Sequence, residues 1–272
     1  RSNVQIIFML EGTIGMTTSK FEVDALQLYF GEPFSIASES ANDIVIFQPT
    51  IGEIIHEGEK KVYSAVNTLV ANPTMYRLQL WKMGIDWNKL SDFDLFCMLC
   101  SSLEQDSTKL LFGDLDFQLF KLYQNTDEED KPFFYLYNDD QDYLIDESTY
   151  QILALYLKTM FNIFPKTEKA RGKATKEALI WEDQQNYDLH KNDTYKSTLL
   201  PLISSCLNHP GFKYKKNELK EVGIVEFMDS VQRLQVYESS TALLKGIYSG
   251  FIDASKINKD DLNFMRDLSQ KK

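Results

Sequence analysis

Apolar residues recur with helical spacing over much of the chain and with strand-like clustering in a few short runs. The stretches "VDALQLYFGEPFSI" and "NDIVIFQPT" hold two short β-type runs, separated by Gly, Ser and Asn turn signals. Pro49 and Thr50 then open a helical stretch, with Thr50 and Glu53 spaced as a capping box. Helical spacing runs on through Ile54, Ile55, Val62, Ala65, Val66, Leu69 and Val70, then through Met75, Leu78, Leu80 and Met83. Asn72-Pro73 divides it into two helices.

Ser91 caps a further helix over 92–103. Residues 110–137 read as strands, "LLFG", "FQLFKLYQ" and "PFFYLY", with "NTDEED" as an acidic turn; this predicts a small antiparallel sheet. From Asp146 onward the pattern predicts helices over 147–163, 174–190, 195–208, 217–248 and 259–268, with Pro210-Gly211 and Gly250 as stops. The fold class expected is α+β and mainly helical. Residues 1–20 read as an arm or extension, 21–163 as a mixed lobe carrying the sheet, 164–175 as a basic linker and 176–272 as an all-α lobe.

Composition narrows the function. The 272 residues include 43% hydrophobic ones, enough for a sizeable core, and carry a net charge of −11. That charge opposes general nucleic-acid binding, which depends on neutralising phosphates. No segment reaches 18 apolar residues, so a membrane span is not expected. Cys97, Cys100 and Cys206 are odd in number, which points away from a disulfide framework and toward a reducing compartment.

Residue types suggest four chemistries. "KARGKATKEALIWEDQQ" (169–185) holds a Gly172-Lys173 pair, but Thr167 stands where a phosphate loop needs glycine, and Ala174 follows the lysine. It reads as an exposed, mobile basic connector, with Lys169, Arg171 and Lys173 as a contact patch for an acidic partner. Cys97 and Cys100 with Cys206 and His209 make a formal zinc set, against the blander reading of small buried hydrophobes. The acidic run Asp139, Asp140, Asp142 and Asp146 lacks the glycine of a calcium loop and reads as a solvated turn before a helix. Asp43 with Glu59-Lys60-Lys61 superficially resembles a nuclease triad, yet the latter lies in a helical pattern. With His56, His190 and His209 scattered, no nucleophilic motif emerges, and neither an enzyme nor a cofactor is expected.

The remaining signal is the helix near 224–248, with an apolar stripe of Ile224, Phe227, Met228, Val231, Leu234, Ala242, Leu244 and Tyr248. It serves either as the central helix of the C-terminal lobe or as a partner face, with Phe212, Tyr214, Phe251 and Phe264 alongside. The partner-binding candidates are therefore Phe212, Tyr214, Phe227, Val231, Leu234, Tyr248 and Phe251, with the basic patch.

The stretches 44–99, "IVIFQPTIGEIIHEGEKKVY…", and 211–268, "…ALLKGIYSGFIDASKINKDDLNFMRDL", together with "KARGKATKEALIWEDQQ", resemble a family of uncharacterised morphogenesis proteins of Firmicutes tailed phages and prophages. The likeness covers roughly residues 25–268 and brings no catalytic residues. It implies a role in tail assembly, as a chaperone, in the host cytoplasm. Implied partners are a phage tail or tape-measure protein, with self-association; no nucleic acid and no membrane is expected. A structural virion component at the connector or baseplate is the alternative, and a metal-dependent enzyme or regulator using the Cys/His set is a third.

Overall fold

The computed structural model describes residues 21–126 and 132–268. The expected arm, residues 1–20, and most of the acidic "NTDEED" turn lie outside them. Among the described residues the architecture is α+β and mainly helical, with two small antiparallel sheets.

Helix α1 (Ala25–Tyr29) begins where Asp24 accepts from the backbone N–H groups of Leu26 and Gln27. It replaces the first part of an expected strand region. The β-type run survives only as β1 (Phe34–Ile36), paired with β2 (Ile44–Ile46). Helix α2 (Ile51–Glu57) starts at the Thr50/Glu53 capping box, with both reciprocal hydrogen bonds made. Gly58, at φ +95°, then breaks the long helical stretch before α3 (Glu59–Leu69), a second break beside the one at Asn72-Pro73. Helix α4 (Arg77–Lys82) follows, and α5 (Asp92–Leu99) opens at a Ser91/Asp94 capping box and passes into a 3₁₀ turn at Cys100–Ser102.

The "LLFG" run is not a strand. It forms the last turn of α6 (Gln105–Phe112), which ends at Gly113, φ +62°. Thr108, Leu111 and Phe112 are buried at helical spacing, a periodicity that a four-residue apolar run is too short to reveal. The second run is a 3₁₀ turn at Phe117–Leu119 followed by β3 (Lys121–Thr126). Strand β3 pairs with β4 (Pro132–Asn138), and β4 with β5 (Tyr143–Ile145), a strand not expected inside the acidic stretch. Asp146 caps α7 (Glu147–Phe161), the most deeply packed helix, which ends at Asn162 in a left-handed conformation.

After an extended connector come α8 (Lys173–His190), α9 (Leu199–Asn208) and α10 (Ile224–Tyr248). The expected helix over 217–248 begins as a 3₁₀ turn at Glu218–Glu221. The one over 259–268 is only a 3₁₀ turn at Lys259–Leu262, because its segment lies along α10 rather than propagating its own ladder.

One core cluster draws on both halves of the chain. Ile51, Val66, Phe96, Leu111, Ile145 and Leu157 share it with Leu199, Cys206, Leu219, Ile224 and Phe227. The halves are also joined by backbone. Ile51 N–H donates to Val222, Ile224 N–H donates to Pro49, and Thr50 and Gly223 form an isolated β-bridge. A smaller cluster of Ala71, Leu80, Trp87, Leu95 and Ala170 sits under α8, with Leu179 and Ile180 packed on it.

Candidate functional site

The apolar stripe of α10 divides in two. In its first half Ile224 and Phe227 are fully buried and Val231 is nearly so, all within the main core. Phe227 and Val231 are therefore core residues in this fold and not an available partner face. Leu234, Phe212 and Tyr214 are half-buried against the same core. Tyr214 is fixed further by donating its hydroxyl to Glu226, while Lys213 reaches the same carboxylate at 3.1 Å. Two of the expected residues remain open: Tyr248 is 84% exposed and Phe251 89%.

The open part of α10 is flanked by the chain's last described segment, which doubles back along the helix. Arg233 donates to the carbonyls of Phe264 (3.3 Å) and Arg266 (2.6 Å), and the Ser240 hydroxyl donates to the carbonyl of Asp261 (2.7 Å). Ile252 lies against Gly246, where a Cβ would come within 2.5 Å of its side chain. This return segment adds Phe264, edge-on to Tyr237 at 5.6 Å, and the exposed Met265. The distal half of α10 thus exposes Tyr237 and Tyr248, and the segment after it exposes Phe251, Phe264 and Met265. Large apolar side chains collected on one surface element mark binding surfaces more often than scattered single ones do.

The basic connector is hydrogen-bonded along its length rather than running free. The Asn72 side-chain amide donates to the carbonyls of Pro165 and Lys166, Thr74 exchanges hydrogen bonds with the Glu168 backbone, and Asn88 does the same with Ala170. Arg77, itself buried, grips Asp183 of α8 through two nitrogens (2.5 and 2.7 Å) and Glu168 of the connector through the third (2.7 Å). A groove of about 530 Å³ opens beside it, between α4 and α8, lined by Met75, Leu78, Leu179 and Tyr187. The guanidinium in it is already engaged by two carboxylates. Lys169, Arg171 and Lys173 are all exposed, so the contact patch expected there is accessible.

The other candidates are not assembled. Burial pushes the Cys97 and Cys100 thiols up to about 12 and raises Cys206 as well, the opposite of what a thiolate ligand or redox pair requires. His209 instead faces Glu238 at 3.3 Å. Among the described residues no three His, Cys, Asp or Glu side chains converge in a way that could hold a metal ion. The nuclease-like set is dispersed too: Asp43 accepts from Ser38 N–H, and Glu59 is occupied by the start of α9. Among the described residues no helix is long and apolar enough to cross a membrane.

No protein-family model, curated protein or solved structure matches the chain.

Sequence reasoning missed one feature. On α8, Trp181 is 67% exposed and Leu189 74%, whereas the helix expected over 174–190 supplied no candidate site residue beyond its basic start. A helical projection of 173–190 is the signal that would have shown it.

Proposed function

We propose that the protein acts through protein–protein contacts in phage tail morphogenesis, as a chaperone that covers an apolar helical surface of a tail or tape-measure protein. The observation that carries this reading is the pair of almost fully solvated aromatic rings at the end of α10 and just past it, Tyr248 and Phe251. Their side chains supply large contact area at low conformational cost, the property that enriches aromatics at interfaces. A net charge of −11 keeps such a surface soluble and biases it toward basic or apolar partners. The resemblance to phage morphogenesis proteins supplies the context, and on this reading the protein needs no cofactor and works in the host cytoplasm.

The test is mass spectrometry of purified mature virions beside the crude lysate of the same induction. A transient assembly factor is abundant in the lysate and absent from the particles. A fixed copy number per virion overturns the chaperone reading in favour of a structural component.

A further inference from the structure

Helix α10 outruns the core it starts in. No residue past Leu234 belongs to either apolar cluster, so its stretch 235–248 projects beyond the packed body. A helix of about four turns is marginal in water by itself, because its hydrogen-bond ladder hardly repays the ordering of the chain. What lies on it is the chain's own C-terminal segment. The backbone reverses at Gly250, φ +76°, and residues 252–268 run back along one side of the helix as a strap.

The strap is held through its main chain. Arg233, with Asp229 at 3.5 Å behind it, donates to the carbonyls of Phe264 and Arg266, and the Ser240 hydroxyl donates to the carbonyl of Asp261. Ser240 is only 2% exposed, although Val236, Leu243, Leu244 and Ile247 surround it at helical spacing and are themselves half-buried. A hydroxyl covered in that setting needs a partner, and a carbonyl supplies it. Main-chain carbonyls are alike in every sequence, so these donors recognise a non-helical backbone rather than particular side chains. Apolar groups add the rest. Phe264 meets Tyr237 edge-on, Ile252 lies on Gly246, and Ile257 and Leu262 are half-buried while most residues between them are exposed.

The same strap is weakly attached. None of residues 249–268 is buried, so lifting it uncovers little apolar surface. It also carries its own braces, since Arg266 donates to the carbonyl of Asp260 and Asn258 caps the turn that follows it. Segments with few buried contacts open at the low end of a protein's stability range.

We propose that this side of α10 is a docking site for a non-helical apolar segment of a partner protein, and that the strap fills it in cis until such a segment displaces it. The inference rests on the reading of α10 as the partner surface and adds what the partner presents. That is a stretch with free carbonyls toward Arg233 and Ser240 and an aliphatic or aromatic side chain every few residues. A tail protein offers such stretches before its helices have formed. Only residues 249–252 link α10 to the strap, and a tether so short gives an effective concentration in the mM range. Weak, casual ligands are therefore kept out, and the site opens to segments that bind well.

A fluorescent peptide of sequence 253–268, titrated against the full chain by anisotropy, tests this. The parent chain should bind it poorly, because the strap competes. A full chain carrying Ile257→Ser, Leu262→Ser and Phe264→Ser should bind it at least about tenfold more tightly, since its own strap no longer fills the site. Adding Arg233→Ala to that chain should weaken binding at least about fivefold, by removing donors to two carbonyls. None of the three strap residues is buried, and the triple variant is expected to keep the parental melting temperature. In the parent chain, amides of 253–268 should exchange with solvent at least about 100-fold faster than those of α7. A peptide that binds neither chain, binds both alike, or binds as well with the three serines in its own sequence overturns the docking site. A strap as protected as α7 overturns its displacement. Neither result depends on where the protein is found in a lysate, so the docking site and the chaperone reading fail separately.

Discussion

Glu59, at the start of α3, accepts hydrogen bonds from both the backbone N–H and the hydroxyl of Thr198, each at 2.7 Å. It also accepts from Leu199 N–H at 2.9 Å and from the Ser197 hydroxyl. The N-cap residue Thr198 makes no side-chain capping bond and Ser197 accepts only from Leu200 N–H, so a carboxylate from 139 residues earlier in the chain satisfies the Thr198 and Leu199 amides. The helix start is thereby also favoured electrostatically.

Burial alone would push the Glu59 carboxyl up. The hydrogen bonds from Ser197, Thr198 and the Leu199 and Thr198 amides outweigh it and hold the group at about 2. Because the folded value is depressed, the stabilisation is present above the unfolded value near 4.5 and disappears as pH falls from there toward 2. Partial solvent contact limits it to about 2 kcal/mol. Glu59→Gln should lose a similar amount at pH 7 and flatten the acid limb of a stability-against-pH curve measured by urea denaturation. An unchanged acid limb would remove Glu59 from the account.

Arg77 ties α4 to both the connector and α8. Removing Asp183 leaves the buried Arg77 with Glu168 as its one carboxylate and two of its nitrogens unpaired, so Asp183→Ala should cost roughly 2–4 kcal/mol. The released α8 should also become cleavable. Limited trypsin digestion is expected to cut at Lys169, Arg171 or Lys173 several-fold faster than in the parent chain, with the N-terminal part remaining intact. Equal digestion rates would mean that the packing of Leu179 and Ile180 holds α8 without the ion pairs.

Two glycines permit the close contact between the starts of α2 and α10. A Cβ at Gly223 would lie 2.2 Å from the Gln48 side-chain oxygen, and one at Gly52 would lie 2.7 Å from the Lys220 carbonyl. Gln48 donates to the Leu28 carbonyl at 2.6 Å and accepts from Val225 N–H at 3.3 Å, so moving it breaks further bonds. Gly52 opposes backbone, which yields less readily than a side chain. Gly52→Ala should therefore destabilise by about 2–3 kcal/mol and Gly223→Ala by about 1–2 kcal/mol, read as shifts in the urea midpoint.

The division of the α10 stripe separates stability from function. Phe227→Ala should cost about 3–5 kcal/mol through lost burial and a core cavity. Tyr248→Ser with Phe251→Ser removes only solvated rings and should leave the melting temperature within a degree or two, while reducing the yield of assembled tails by at least about tenfold. Normal tail yield from a stable double variant would remove this surface from the proposed function.

The thiols offer a check on the buried-cysteine reading. With Cys97 and Cys100 pushed up to about 12, thiolate is scarce at pH 7–8, and reaction with a thiol reagent should be slow in the native protein and complete on unfolding. Fast native labelling of Cys100 would contradict its buried position.

Much of the secondary structure was legible in local chemistry. The Thr50/Glu53 capping box, the Asn72-Pro73 break, the Ser91 cap and the α7 pattern after Asp146 all depend on residues within one or two turns of each other. Local signals also sufficed to expect an α+β, mainly helical chain. Where the sequence misled, the run was short. "LLFG" is compatible with strand or helix until the burial of Thr108, Leu111 and Phe112 is known, and β5 is only three residues long.

Sequence alone determined that the stripe of α10 is apolar, that the connector is basic and that the cysteines lie on apolar segments. Only the tertiary structure decided which half of that stripe is buried, since Phe227 and Tyr248 follow the same periodicity and differ only in what other segments pack there. It also decided that Glu59 caps α9 and that Arg77 joins Glu168 to Asp183. Such pairings span about a hundred residues and leave no periodic trace, because a carboxylate seeking donors is satisfied by whichever segment the core brings to it.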